Sequence, residues 1–168
     1  MNYLVYDIGG SYIKYCLMTG DREIFFKGKV KTPLEEKACF LVAVEEIFRQ
    51  FEGQVDGIAI SMPGKIDVFN GYAHTAGVLT FLEQTNIVDL FHTFTDLPIS
   101  VENDGKCAAL AESWVGALAS LVLSSKPMRT INQPLISVLL AVFCRWLVKE
   151  NESKGWKKAR SVVSCCFN

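Results

Sequence analysis

Residues 3–14 read YLVYDIGGSYIK and set the start of the fold. A β-rich run from Tyr3 to Asp7 stops at Gly9-Gly10, and a second run follows from Tyr12 to Met18. A third run, rich in Ile and Phe, extends from Glu23 to Val30. Paired glycines between two β-rich runs are typical of a tight hairpin turn. The sequence therefore predicts an antiparallel meander of three strands at the N terminus.

Beyond the meander, helical and strand patterns alternate along the chain. Apolar residues recur at helical spacing from Glu35 to Phe51. Two short, almost wholly apolar runs, Val55–Ile60 and Pro98–Val101, are typical of parallel strands buried on both faces. Further helices are predicted over Asn86–Phe94 and Gly105–Leu118. The order βββαβαβα predicts an α/β fold, with a mixed sheet that includes the antiparallel meander and is flanked by helices.

The first candidate site lies at the corner that follows the opening strand. Asp7 ends a strand, where a carboxylate can hold a hydrated Mg²⁺ ion. Gly9 and Gly10 let backbone N–H groups approach a phosphate, while Ser11 adds a hydroxyl and Lys14 a positive charge. The pattern is neither a Walker loop nor a G-x-G-x-x-G fingerprint. An ordinary hairpin with a Gly-Gly turn would explain the same residues.

The second candidate site is Glu102-Asn103-Asp104, where a predicted strand gives way to a helix. Ligands often bind at this edge of open α/β sheets. A carboxylate there can take a proton from a hydroxyl that attacks phosphorus, and an amide can bond a neighbouring sugar hydroxyl. Helix capping is the alternative interpretation, because Asn and Asp are both favoured at helix N-caps.

A third candidate comprises the turn Ser61-Met62-Pro63-Gly64, with Gly71 and residues 75–79 after it, and the segment from Gly64 to about Leu82 is predicted to be irregular. Gly71 and Gly77 allow the backbone to lie flat against a flat ligand. A surface loop interrupted by glycines is the simpler interpretation of this segment on its own.

Composition limits the classes of function. The chain has 168 residues and a formal net charge of −1, so it can bury one core but offers no basic surface for nucleic acid. No basic leader precedes Asp7, and the longest apolar run, Leu135–Val148, is too short to span a bilayer. Six cysteines without a C-x-x-C spacing predict reduced thiols in a cytoplasmic protein and no zinc site.

Taken in order, three motifs resemble the ROK family of sugar kinases, which belong to the actin-like, ribonuclease-H-like ATPases. They are DIGGSYIK at residues 7–14, GIAISMPG at 57–64 and VENDGKCAALAE at 101–112. The last motif continues to Trp114 and Gly116 and is the most specific. The resemblance covers residues 3 to about 117 and implies an N-terminal lobe of this fold over residues 1–117.

The resemblance also implies an activity and roles for the candidate residues. It implies ATP-dependent phosphorylation of a sugar with Mg²⁺, in which Asp104 is the catalytic base and Asn103 contacts the sugar. The corner from Asp7 to Lys14 would bind the phosphates of ATP. Residues 75–81, TAGVLTF, look like the β-glucoside kinase branch, whose members phosphorylate the 6-hydroxyl of a glucosyl unit.

After Gly116 the similarity to the family ends. We find neither a Gly-Thr-Gly-x-Gly-Gly loop nor the sugar-binding Glu and His or the zinc-binding cysteines of the family. We therefore expect an atypical, partly helical tail over residues 118–168, produced by a frameshift or a truncation, and weak or absent turnover. Sequencing the coding DNA downstream of the Gly116 codon would test this expectation.

Two alternatives remain open at this stage. The chain could be a non-catalytic sugar-binding remnant, or a regulatory ROK fragment without a DNA-binding domain. The opening strand begins at Tyr3, which leaves no room ahead of it for a helix-turn-helix. The apolar run Leu135–Val148 could also mediate association into a homodimer.

Overall fold

A computed structural model describes residues 1–21 and 23–108. The predictions for the 118–168 tail, the apolar run Leu135–Val148 and the helix beyond residue 108 lie outside these residues. Cys144, Cys165 and Cys166 lie outside them as well. In the part of the chain that the structure does describe, no helix has the length and apolar character needed to cross a membrane.

The predicted antiparallel meander is present at the N terminus. Its strands are β1 (Asn2–Ile8), β2 (Tyr12–Thr19) and β3 (Ile24–Lys31). β1 and β2 pair antiparallel with Asp7 opposite Lys14, and β2 pairs antiparallel with β3. This prediction is confirmed. As a result, Asp7 and Lys14 of the first candidate site face each other across neighbouring strands.

The next two elements also follow the sequence pattern. Helix α1 (Lys37–Arg49) begins two residues later and ends two residues earlier than the predicted helix. Strand β4 (Gly57–Met62) is buried along its whole length and pairs parallel with β1. Burial on both faces is the reason that this strand reads as a continuous apolar run.

The segment predicted to be irregular contains a small sheet, so that prediction was wrong. Strands β5 (Ile66–Asp67), β6 (Tyr72–Ala73) and β7 (Thr85–Asn86) form an antiparallel sheet in this order, with a 3₁₀ helix at Thr80–Leu82. Each strand has two residues, which is too short to show the alternation by which strands are recognised.

Helix α2 (Ile87–Phe91) follows directly, and it ends three residues before the predicted end at Phe94. Its start is fixed by the side chain of Asn86, which accepts hydrogen bonds from the backbone N–H groups of Val88 and Asp89. Asn is among the residues most favoured at this position because it satisfies otherwise unpaired N–H groups.

Strand β8 (Ile99–Asn103) completes the main sheet by pairing parallel with β4. The strand order is β3-β2-β1-β4-β8, so the parallel strands β1, β4 and β8 all end at one edge. Helix α3 begins at Asp104, immediately after β8, and is described over 104–108. Both candidate sites therefore lie at the same edge of the sheet.

The two faces of the sheet are covered by different helices. On the first face, the Tyr6 hydroxyl donates a hydrogen bond to the Val44 carbonyl of α1 at 2.9 Å, and its ring meets Phe91 of α2 edge-on. On the second face, Val5 of β1 belongs to a smaller apolar cluster with Cys107 of α3. Since side chains alternate along a strand, Asp7 points to the second face, as Val5 does.

Candidate functional site

A row of polar side chains crosses the second face of the sheet at its carboxyl edge. Asp7 of β1 lies opposite Lys14 of β2 and opposite Ser61 of β4. Ser61 in turn lies opposite Glu102 of β8. Residues in register on neighbouring strands project from the same face. The row therefore joins the first and second candidate sites through Ser61.

The Asp7 carboxyl is largely buried, and its pKa departs from the usual value. The pKa of this carboxyl is raised to about 6, mainly by burial; Lys14 lowers this pKa, the nearby charge of Asp104 raises it, and a hydrogen bond with Ser61 lowers it. The Asp7 side chain is 17% exposed, and Lys14 Nζ lies 3.9 Å from its Oδ2. Two like charges influence each other in this way only when they are near neighbours. The carboxyls of Asp7 and Asp104 are therefore near enough for their charges to interact.

The corner between β1 and β2 is tight, but its two glycines do not adopt the left-handed backbone conformation. Neither Gly9 nor Gly10 has a positive φ, so the mirror-image hairpin turn that favours Gly-Gly is not formed. Gly10 instead allows a close approach, because a Cβ there would lie 2.5 Å from Cγ2 of Val78. Within residues 1–21 and 23–108, the N–H groups of Gly10 and Ser11 have no hydrogen-bond acceptor.

Asn103 has the capping role that the alternative interpretation proposed. Its Oδ1 accepts a hydrogen bond from the backbone N–H of Lys106 at 3.0 Å, which caps α3. Its Nδ2 donates to the Gly64 carbonyl at 2.8 Å and to Asp104 Oδ1 at 3.2 Å. Asn103 therefore ties the 61–64 turn to the start of α3 and orients Asp104, while its contact with a sugar stays a prediction.

Asp104 itself is exposed at the start of α3. Its Oδ1 accepts the hydrogen bond from Asn103 and another from Gly105 N–H at 2.7 Å. Its Oδ2 has no hydrogen-bond partner among the residues that the structure describes. One carboxylate oxygen is thus held by the protein, and the other is available to a ligand hydroxyl.

Glu102 is more enclosed than Asp104. Its side chain is 18% exposed, and Oε1 lies 3.7 Å from Lys106 Nζ. The same oxygen accepts a hydrogen bond from the backbone N–H of Asn103 at 2.7 Å. Glu102 therefore pairs with Lys106 and accepts a hydrogen bond from Asn103 at the end of β8. These bonds do not test its predicted contact with a sugar.

The glycines of the third candidate divide into two groups. Gly77, with φ +61°, lies beside Pro63, and Gly64, with φ +110°, lies against the backbone of Thr75. These contacts bring the 75–79 loop to the 61–64 turn that Asn103 holds. Gly71, with φ +69°, instead lies against Val88 of α2, so packing explains a glycine there, and its role towards a sugar stays a prediction.

The donor set at the Asp7 corner fits a magnesium ion carried by a phosphate. Mg²⁺ typically takes one or two carboxylates and fills its other positions with water and phosphate oxygens. Asp7 provides a largely desolvated carboxylate whose pKa the nearby Asp104 raises, so a cation would relieve the repulsion between them. Across residues 1–21 and 23–108, no group of three or more His, Cys, Asp or Glu could form a complete metal site by itself.

Two residues of this site carried little signal in the sequence. The sequence places Ser61 only in the turn of the third candidate, although a hydroxyl that follows a wholly apolar strand could indicate a partner across the sheet. Thr32 was not noted at all, yet its hydroxyl donates to the Gly9 carbonyl at 2.7 Å. Its distance of 23 residues from Gly9 explains why no local pattern indicates this contact.

The sequence model of the ROK family matches residues 3–122 of this chain. The β-glucoside kinase of Klebsiella pneumoniae is 31% identical over 121 residues, a match that covers 72% of this chain and 40% of that protein. The β-glucoside kinase of Listeria innocua is 28% identical over 116 residues, which cover 69% of this chain and 39% of the relative. The chain thus spans about two fifths of the length of these curated relatives.

A solved structure extends the comparison to the fold. The ROK family glucokinase from Streptomyces griseus, in complex with glucose and AMPPNP, superimposes with a TM-score of 0.61 at 25% identity. The match covers 70% of this chain and 38% of that one. The predicted actin-like α/β fold, with a mixed sheet and flanking helices, is confirmed. The division into a 1–117 lobe and a 118–168 tail stays a prediction.

Proposed function

Because this chain belongs to the ROK family, we propose that it transfers the γ-phosphoryl group of ATP to a hydroxyl of a sugar. The proposed acceptor is the 6-hydroxyl of glucose or of the glucosyl unit of a β-glucoside, in line with the β-glucoside kinases that it resembles. One observation carries the proposal. The exposed Asp104 carboxylate lies at the same edge of the sheet as the N–H groups of Gly10 and Ser11, which have no acceptor among the described residues.

The spacing of these groups suits an in-line transfer. Neighbouring strands lie about 4.8 Å apart, so the ends of β1 and β8, with β4 between them, are separated by about 10 Å. A sugar hydroxyl bound at Asp104 could therefore face a terminal phosphate bound at the corner. Phosphoryl transfer depends mainly on such positioning and on charge stabilisation.

On the sugar side, Asp104 Oδ2 would accept the proton of the attacking hydroxyl. Asn103 holds Oδ1 of the same carboxylate at 3.2 Å and so fixes the direction of Oδ2. Asn103 Oδ1 retains a second lone pair with which it could accept from an adjacent sugar hydroxyl. Glu102, Gly71 and Gly77 complete the proposed sugar-binding set.

On the phosphate side, the N–H groups of Gly10 and Ser11 would bind phosphate oxygens, together with the Ser11 hydroxyl and Lys14. Asp7 would hold Mg²⁺, which when bound would neutralise part of the charge of the phosphates. Lys14 already lies beside Asp7, so a phosphate bound at the corner would be close to both side chains. The weak turnover expected from the sequence stays a prediction, because residues 118–168 lie outside the described part.

A coupled assay of the full chain tests this proposal. We expect slow ADP release from MgATP that depends on added glucose or cellobiose, in keeping with the weak turnover predicted from the sequence, and phosphorus NMR should identify a sugar 6-phosphate. 6-Deoxyglucose, which lacks the acceptor hydroxyl, should release no ADP above the background. Sugar binding by calorimetry without sugar-dependent ADP release would favour the non-catalytic alternative, and a phosphate on another hydroxyl would contradict the proposed position.

A further inference from the structure

Thr32 brackets the corner between β1 and β2 with two hydrogen bonds. Its hydroxyl donates to the Gly9 carbonyl at 2.7 Å, and its backbone N–H donates to the Ser11 carbonyl at 3.1 Å. The residue is 3% exposed, so no ligand can reach its side chain directly. Pro33 follows it and restricts Thr32 to an extended backbone. Both hydrogen bonds thus come from a buried residue whose backbone conformation is restricted.

The geometry of the peptide group gives these two bonds a consequence for the corner. In a planar trans peptide, the carbonyl and the next N–H point in opposite directions. Holding the Gly9 carbonyl towards Thr32 therefore directs the Gly10 N–H away from Thr32. Holding the Ser11 carbonyl in the same way fixes the 11–12 peptide plane. The Gly10–Ser11 peptide, which carries the Ser11 N–H group, therefore lies between two fixed planes.

We propose that Thr32 is a positioning residue that keeps the Gly10 and Ser11 N–H groups oriented for a polyphosphate. The inference rests on the proposed function, since it assigns the phosphate side of the same site. Thr32 does not touch the phosphate. It acts through the Gly9 and Ser11 carbonyls, and it removes the need to order the corner when the anion binds, which is the gain expected from preorganisation.

A purely structural role for Thr32 is the competing explanation, and the choice of variants separates the two. Thr32→Val keeps the shape of the side chain but removes the donor to Gly9, whereas Thr32→Ser keeps the donor. Thr93→Val is a matched control, because the Thr93 hydroxyl also donates to a backbone carbonyl, that of Leu90, at 2.7 Å. Thr93 lies two residues after the end of α2, and this hydrogen bond joins it to Leu90 of α2.

The test is a titration of the ¹⁵N-labelled full chain with magnesium pyrophosphate, which is the polyphosphate without the nucleoside. In the wild type we expect amide shifts at Gly10 and Ser11. Thr32→Val should weaken the pyrophosphate affinity about tenfold, equivalent to about 1.4 kcal/mol. The pyrophosphate affinities of Thr32→Ser and Thr93→Val should stay within about twofold of the wild-type value. Glucose affinity should be unchanged in all variants.

Each other outcome overturns a defined part of the account. Equal pyrophosphate affinity in the wild type and Thr32→Val overturns the role of Thr32 alone. A parallel loss of glucose affinity in Thr32→Val shows general structural damage and also overturns it. A wild-type chain whose corner amides do not respond to pyrophosphate overturns both the inference and the phosphate site of the proposed function.

Discussion

Asp104→Asn is expected to lower the rate of sugar phosphorylation by about 10²- to 10⁴-fold, the usual contribution of a general base. The amide cannot take the proton of the attacking hydroxyl. The fold should be preserved, because Oδ1 of the new side chain can still accept from Asn103 Nδ2 and Gly105 N–H. Glucose affinity should change by less than about threefold, since only one hydrogen bond to the sugar is altered. The coupled assay and calorimetry measure the two effects separately.

Asp96→Asn is the matched control for this prediction. Asp96 is also an exposed carboxylate, but it precedes β8 at the opposite end of the strand from Asp104. Its substitution should leave both the rate and the glucose affinity unchanged. A rate for Asp104→Asn within about threefold of the wild type would remove Asp104 from the role of base. An equal loss in both variants would point to a non-specific charge effect.

Gly64→Ala is expected to have the largest effect on stability, a loss of about 3 kcal/mol or more in the free energy of unfolding. Gly64 has φ +110°, a backbone conformation that residues other than glycine rarely adopt. An added Cβ would also collide with the Thr75 carbonyl oxygen, which is backbone and cannot rotate away. Urea unfolding followed by circular dichroism measures the change.

Gly53→Ala separates backbone strain from the collision with Thr75. Gly53 also has a positive φ, +77°, but a Cβ there would meet nothing within 4 Å. This variant should lose only about 1 kcal/mol, the cost of a left-handed conformation. If the two variants are destabilised equally, the close crossing of the 61–64 turn with residues 75–76 is not present in the protein.

Gly64→Ala also bears on the site, because the Gly64 carbonyl accepts a hydrogen bond from Asn103 Nδ2 at 2.8 Å. A shift of this carbonyl would loosen the side chain that orients Asp104. We therefore expect sugar binding to weaken even at low temperature, where the variant is still folded. Stability and function are linked here through a single backbone oxygen.

Local sequence patterns were sufficient to predict the main sheet and the first helix. The meander, α1, β4 and β8 each have a hydrophobic pattern long enough to be recognised, and the order of the elements indicates the α/β class. The position of Asp104 also followed from the sequence, because a strand that gives way to a helix places the next residue at the carboxyl edge.

The contacts between distant segments could not be predicted in this way. Thr32 reaches the corner across 23 residues, and Ser61 meets Asp7 only because β4 pairs with β1 in one particular register. The small sheet β5-β6-β7 depends on pairing rather than on pattern, since each strand has two residues. The glycine at position 10 was noted for its flexibility, whereas the structure uses it for the approach of Val78.

The proximity of the Asp7 and Asp104 carboxyls can be tested without any ligand. A carbon-13 NMR titration of the Asp7 carboxyl should give a pKa of about 6 in the wild-type chain. In Asp104→Asn the pKa of Asp7 should fall, because the neighbouring negative charge that raises it is gone. Asp96→Asn should leave it unchanged. An Asp7 pKa that is the same in Asp104→Asn and in the wild type would contradict the claim that these carboxylates face one ligand.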